Sequence, residues 1–345
     1  MNTAITVAGV TVEPGERRDV APAASEWYTG DRTTLPMAVL NGVEDGPRLF
    51  VTAAVHGDEL NGIAVCRQLL DTLDPEALRG ILLVVPVVNV LGVQMGSRYL
   101  PDRRDLNRAF PGSHTGSIAA RIARLVLDEI IVGSDLGIDL HTAANHRFNV
   151  PQVRLDTADE EALALAVAFG APFVLDARLR PGSLRAVAAD KGVPVLTFEG
   201  GGPYRFDDDV IDVALRGVLR VLARLDMIDA PPPPAHEAPM VLHESRWLRA
   251  DRGGLLELHV EPGEHIRAGQ PLWTTVSPMG AEHNVHEAEE EGHVIGATTL
   301  PLVHPGQALL HVALPGDRHP AEDDPTEEEY PPGDDDDDAE EWYVR

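Results

Sequence analysis

The sequence predicts an α/β fold, a sheet packed between helix layers, followed by a small all-β domain. Three observations carry this prediction. Short runs of Val, Ile and Leu alternate with helix-length amphipathic patterns from residue 1 to about 230. Those runs are apolar at most positions rather than at every second one, which marks strands buried on both faces. After a run of prolines the texture changes to short alternating strands separated by glycine turns, with no helix-length period.

In chain order, strands are expected at PRLFVTAAV (47–55), ILLVVPVVN (81–89), LGIDLHT (136–142), PFVLDA (172–177) and VPVLTFEG (193–200). Helices are expected at NGIAVCRQLLDTL (61–73), SIAARIARLVLDEII (117–131), ADEEALALAVAFG (158–170), SLRAVAADKG (183–192) and DDDVIDVALRGVLRVLARLDMI (207–228). Ser183, after Pro181 and Gly182, is placed to cap the helix that begins at Leu184. Pro231 to Pro234 with the following AHEAP read as a linker over 231–240. The β domain spans 241–315, with turns at Gly253-Gly254, Pro262-Gly263, Ala268-Gly269, Glu291-Gly292 and Pro305-Gly306. The remainder, 316–345, ends in AEDDPTEEEYPPGDDDDDAEEWYVR, too charged and proline-rich to fold alone.

Acidic residues number 56 against 28 basic ones, for a net charge of -28. Lys191 is the sole lysine. Such a surface repels nucleic acid and anionic membranes. No apolar run reaches the ~18–20 residues of a membrane helix. The first twenty residues lack the basic start and apolar centre of a secretory signal. One cysteine, Cys66, rules out an intrachain disulfide. Together these features point to a cytoplasmic protein and leave homo-oligomerisation open. Cys66 falls in the apolar helical stretch AVCRQLL and reads as a buried structural thiol rather than a nucleophile. High-salt adaptation and a GC-rich genome both explain arginine in place of lysine. Only the first explains the excess of Asp and Glu.

The chemistry lies at strand ends. His56-Gly57-Asp58-Glu59 follows LFVTAAV directly and precedes a helix, at the carboxyl end of a strand where α/β sheets bind ligands. A histidine and a carboxylate three residues apart across that turn can converge on one cation. Asp139-Leu140-His141-Thr142 closes another apolar strand. His56, Glu59 and His141 together make a three-ligand zinc set with an open fourth position. Asp139 lies on the same strand face as His141 and could orient the imidazole. A lone histidine at a strand end is more often a hydrogen-bonded structural residue; the pairing of two such ends weakens that reading. In Arg104-Asp105-Leu106-Asn107-Arg108-Ala109-Phe110-Pro111-Gly112, Asn107 and Arg108 set neutral and charged donors side by side, suited to a carboxylate or carbonyl. Glu199, where VPVLTFE runs into Gly200, Gly201 and Gly202, is a candidate general base for water. Either of the last two, standing alone, would read as a surface loop.

The order HGDE, RDLNRAFPG, DLHT, FEGGGP resembles the succinylglutamate desuccinylase/aspartoacylase family, over nearly the whole chain up to about 230. The resemblance implies a mixed, zinc-carboxypeptidase-like sheet and one zinc on His56, Glu59 and His141. It implies Glu199 as general base, Asn107 and Arg108 as substrate-binding residues, and Arg98 as the group that polarises the scissile carbonyl. Arg104 is the alternative to Arg98. Arg185, on the helix before the Glu199 strand, is a further candidate for substrate binding. GLLELHVEPGEHIRAGQPLW resembles the barrel-sandwich turn of biotinyl and lipoyl carriers, a domain that some deacylases of this family carry at the C-terminus. No lysine follows Lys191, so this domain is not a cofactor-bearing arm. It is expected to pack on the catalytic domain or narrow the mouth of its site. Its histidines, His259, His265, His283, His286, His293, His304 and His311, read as solvated or structural rather than metal ligands. The implied activity is zinc-dependent hydrolysis of the amide of a small N-acyl amino acid, with N-acetylated diamino acids favoured over N-acetylaspartate. A zinc carboxypeptidase acting on peptides is the nearest rival, and a non-catalytic binding protein that retains the fold is the rival of another class.

Overall fold

The computed structural model describes residues 2–26, 29–144, 146–229, 232–233, 235, 237–280 and 283–316. The expected acidic tail lies outside the described residues from 317 onward, as do Pro231, Pro234 and His236 of the expected linker. The centre of the molecule is a run of parallel strands in the order Arg79–Val85, Glu44–Ala53, Leu136–His141, Val195–Gly201. Antiparallel strands continue this run on both sides. Met37–Asn41 and then Glu16–Val20 lie beyond Arg79–Val85, and Arg147–Leu155 lies beyond Val195–Gly201. The sheet is therefore mixed.

Alternation along each strand feeds two cores. Leu49, Val51, Ala53, Ile138, Leu140, Leu196 and Phe198 pack under the helices Asn61–Thr72, Glu160–Phe169 and Asp208–Arg224. Phe50, Leu83 and Val195 pack on the opposite face with Ile118–Val126 and Leu184–Asp190. Ser183 caps the latter helix, its hydroxyl accepting from Ala186 N at 3.1 Å. Cys66 is fully buried in the first core, and burial, helped by the charge of Asp139, raises its pKa and keeps it a thiol.

Several elements depart from expectation, two of them inside or beside the expected ones. The helix from Ile118 ends as an α-helix at Val126 and widens into a π-helical turn over Leu127–Ile131. Strand Arg147–Leu155 was not anticipated, because Pro151 interrupts its pattern. The register skips between Asn149 and Gln152, so the proline sits in an irregularity where its missing N–H leaves the ladder intact.

Every described element after residue 239 is a strand. Gly254–Leu258, Pro271–Val276, His283–Glu287 and Leu302–Val303 form a separate four-stranded sheet. It closes over Trp273, Leu272, Val294 and Leu310. The other strands of this region extend the main sheet. Gly292–Thr298 runs antiparallel to Arg147–Asn149, with Arg147 opposite Thr298, Phe148 opposite Ala297 and Asn149 opposite Gly296. Ala308–Leu314 and Glu244–Arg249 follow, and Phe173–Asp176 beside Arg147–Leu155, Met240–Leu242 beside Phe173–Asp176, and His265–Ile266 beside Gly292–Thr298 bring the sheet to thirteen strands. Among the described residues, no helix is long and apolar enough to cross a membrane.

Candidate metal centre

Parallel pairing places Thr52 opposite Asp139 and His141 opposite Glu199 at the carboxyl end of the central strands. Asp139 and His141 face away from Ile138 and Leu140, so they point to the same side of the sheet. His56 arrives from the turn that follows Ala53. Gly57 is required there, because a Cβ would lie 2.0 Å from the Gly92 carbonyl carbon and 2.3 Å from Ser97 O. The close backbone approach, rather than the tightness of the turn alone, fixes this glycine.

Glu59 lies between the two histidines. Its Oε1 is 2.6 Å from His56 Nδ1 and its Oε2 is 2.8 Å from His141 Nδ1. The ligand atoms of these three buried residues all lie within 4.8 Å of one another, and they form a group able to hold a metal ion. Each outer ring nitrogen meets a carboxylate. His141 Nε2 is 2.8 Å from Asp139 Oδ2, and Asp139 Oδ1 accepts from Thr52 Oγ1 at 2.7 Å. His56 Nε2 is 3.1 Å from Asp105 Oδ1.

Burial opposes charge on both imidazoles. For His56 the pull of Glu59 and Asp105 outweighs burial and the nearby Arg98, so its pKa is raised. For His141, Asp139 and Glu59 raise it well above the ordinary value against the same cost of burial. Glu59 is held far below the usual carboxylate range: burial would raise it, but His56 and His141 dominate. Both nitrogens of each ring thus face carboxylate oxygens, an arrangement that favours protons on them. A divalent ion would replace those protons.

Arg98 reaches the same cluster. It donates to Glu59 Oε1 at 3.1 Å and to Asp105 Oδ2 at 3.3 Å. Asn89, which caps the short helix Val90–Met95, also donates to the Arg98 carbonyl at 3.3 Å. Arg104 is instead on the surface, its Nε 3.9 Å from Asp102. Asn107 accepts from Leu184 N at 2.9 Å, which ties the RDLNR segment to the start of the following helix. Arg108 donates to Asn107 O at 2.7 Å. Arg185 donates to Ala177 O at 3.1 Å and Arg178 O at 2.5 Å. Glu199 accepts from Asn149 Nδ2 at 3.1 Å and lies 3.8 Å from Arg154 Nη1.

Sequence reasoning did not single out Asp105, Thr52, Asn149 or Arg154. Asp105 stands inside the RDLNR motif, but nothing in the sequence says that it turns toward His56. Asn149 and Arg154 lie on the strand that Pro151 conceals. Among the described residues, the C-terminal histidines form no three-ligand group. His286 stacks on Trp273 at 4.0 Å, His311 on Trp247 at 4.6 Å, and His259 Nε2 is 2.7 Å from Thr274 Oγ1.

Residues 45–225 match the succinylglutamate desuccinylase/aspartoacylase catalytic domain. The chain is 28% identical over 306 residues, 85% of this chain and 89% of the relative, to the N-alpha-acetyl-L-2,4-diaminobutyric acid deacetylase of Halomonas elongata. A solved succinylglutamate desuccinylase/aspartoacylase from Rhodobacter sphaeroides has a TM-score of 0.76 at 26% identity, covering 86% of this chain and 95% of that one. The product-bound ectoine utilization protein of Ruegeria pomeroyi shares the fold, with a TM-score of 0.77 at 22% identity, covering 87% and 95%. A histidine–glutamate–histidine cluster at the carboxyl edge of a mixed sheet, inside a segment that matches this catalytic domain, makes the chain a member of the succinylglutamate desuccinylase/aspartoacylase family.

Proposed function

We propose that the protein is a zinc-dependent deacylase that hydrolyses the amide bond of an N-acyl amino acid, with N-acetylated diamino acids as the favoured class. The observation that carries this reading is the position of Glu59 between two inward Nδ1 atoms, with a carboxylate behind each ring. Two imidazoles and one carboxylate suit zinc, and the outer carboxylates fix ring orientation as they do at zinc sites generally. His56, Glu59 and His141 would hold one ion. Zinc bound there would lower the pKa of a water molecule and polarise the scissile carbonyl.

The protein's own groups supply the rest. Glu199, level with His141 on the next strand, takes a proton from the attacking water and returns it to the leaving amine. Arg98 brings positive charge to the developing oxyanion. Arg108 and Asn107 hold the carboxylate of the amino-acid part and so fix its orientation. The guanidinium of Arg108 is disfavoured by burial and by the like charges of Arg180 and Arg98, with Asp105 opposing, so an incoming anion is welcome. Arg185, next to Leu184 whose N–H donates to Asn107 Oδ1, is a further candidate for substrate binding. The lysine-poor, acidic surface supports a cytoplasmic enzyme of small molecules rather than a partner of nucleic acid or membrane.

The test is zinc content measured together with hydrolysis of a panel: N-acetyl-2,4-diaminobutyrate, N-acetylaspartate, N-succinylglutamate and short peptides. Turnover of the acyl amino acids with zinc bound is expected. Preferred cleavage of peptides would favour a carboxypeptidase. Full zinc with no turnover would favour a binding protein.

A further inference from the structure

The strand Gly292–Thr298 comes from the β region, yet two of its neighbouring residues lead to the two oxygens of Glu199. The first line runs through Gly296. This residue lies opposite Asn149, whose Nδ2 donates to Glu199 Oε2 at 3.1 Å. A Cβ at position 296 would stand 2.7 Å from Asn149 Oδ1, 3.3 Å from Phe148 O and 3.4 Å from His311 Cβ. The glycine is therefore the seat on which the Asn149 amide rests. The second line runs through Ile295. Gln152 is fully buried and is the ladder partner of Glu199. Its Nε2 donates to Ile295 O and to Val150 O, each at 3.2 Å. That fixes which end of the amide faces outward, and Gln152 Oε1 accepts from Arg154 Nε at 3.3 Å. Arg154 Nη1 then lies 3.8 Å from Glu199 Oε1.

We propose that the strand Gly292–Thr298 positions Glu199, acting through Asn149 on one carboxylate oxygen and through Gln152 and Arg154 on the other. This rests on the reading of Glu199 as the proton carrier. A carboxylate that must take a proton from one atom and give it to another works only within a narrow range of orientation. Glu199 sits at the end of a strand beside three glycines, which do little to hold it. The β region supplies that restraint from outside, and Asn149, Gln152 and Arg154 are positioning residues.

The experiment is steady-state kinetics of the full-length zinc-loaded chain on N-acetyl-2,4-diaminobutyrate, with zinc content and thermal melts as controls. Asn149→Ala and Gly296→Ala should each lower kcat about ten-fold or more, as expected for loss of a hydrogen bond to a charged group, with KM changed less than about two-fold. Zinc content should stay the same. Arg154→Lys should recover most of the turnover that Arg154→Gln loses. In a Glu199→Gln background the further loss should vanish, because the positioned group is gone. An equal further loss in both backgrounds overturns the proposal, as does a fall in kcat that follows zinc loss, or equal loss in Arg154→Lys and Arg154→Gln. Should Gly296→Ala fail to fold, Asn149→Ala, which only removes atoms, carries the same test. A Glu199→Gln variant with wild-type turnover would overturn the proton-carrier reading itself, and a wild-type chain inactive on the whole acyl amino-acid panel would overturn the deacylase reading. In either case the positioning proposal falls with it.

Discussion

Asp105 Oδ1 lies 3.1 Å from His56 Nε2, on the ring edge away from Glu59. It also accepts from Asn107 N at 2.7 Å, so one carboxylate orients a proposed ligand and caps the substrate-binding segment. Carboxylates behind zinc-bound histidines are worth about 10–100-fold in metal affinity. Asp105→Asn, which keeps an acceptor oxygen for the Asn107 N–H, should weaken zinc binding by that order in a competitive chelator titration. Unchanged affinity would mean that Asp105 serves only the local turn.

Glu199→Gln keeps the volume of the side chain and removes the proton acceptor. Zinc content and substrate affinity should persist while turnover falls by roughly 10²–10⁴-fold, the usual contribution of a general acid–base group. Loss of zinc in this variant would make Glu199 a ligand and redraw the metal set. With a wild-type rate, Asp58 and Asp139 become the next candidates for the base.

Arg108→Ala should raise KM for acyl amino acids that carry a free carboxylate and spare the corresponding amides or esters. The comparison of KM for one substrate and its methyl ester checks this directly. An equal effect on both would mean that Arg108 supports the loop and not the carboxylate.

His311 is expected to make stability depend on pH. It is buried, stacked on Trp247, with Nε2 3.0 Å from Ser245 Oγ. Burial first, and then the charges of Arg154, Arg147 and Arg180, push its pKa well below 6.5. The unfolded chain takes up a proton on this ring near its ordinary pKa of about 6.5, whereas the folded chain does not. The contribution is complete above that pH and is lost as pH falls toward the depressed folded value. Melting temperatures taken from about pH 8 to about pH 5 should fall more steeply for the wild type than for His311→Gln. Parallel curves would show that the ring does not carry the effect.

The net charge of -28 should make the fold more stable in salt. Screening shortens the reach of like-charge repulsion to about 3 Å at 1 M. Thermal melts from low to molar potassium chloride are expected to rise. A flat or falling series would leave codon bias as the reason for the missing lysines.

Several of these residues could be read from the sequence because periodicity and chemistry agreed. The apolar runs 47–55, 136–142 and 193–200 announced buried strands, and strand ends in such sheets gather ligands. His56, Glu59 and His141 were therefore visible as a set. Strand Arg147–Leu155 was hidden because Pro151 is a poor strand residue everywhere except at an irregularity, which only the partner strands reveal. With it went Asn149, Gln152 and Arg154. Glu16–Val20 was hidden for another reason: as an edge strand of sequence ERRDV it buries only Val20, and charge concealed it. Asp105 could not be found by period or by composition, since its role is a direction taken by one side chain in a loop.

The pairing of Arg147–Asn149 with Gly292–Thr298 bears on how this protein can be cut or recombined. A fragment ending near residue 230 would contain the proposed metal ligands and Glu199. It would also present the bare main-chain N–H and C=O groups of residues 147–149, and those of residues 173–175 once Met240–Leu242 is gone. Open edges of this kind recruit other chains and drive aggregation. The portion that matches the catalytic domain should thus express as insoluble material when produced alone, and grafts between relatives should exchange the two halves together.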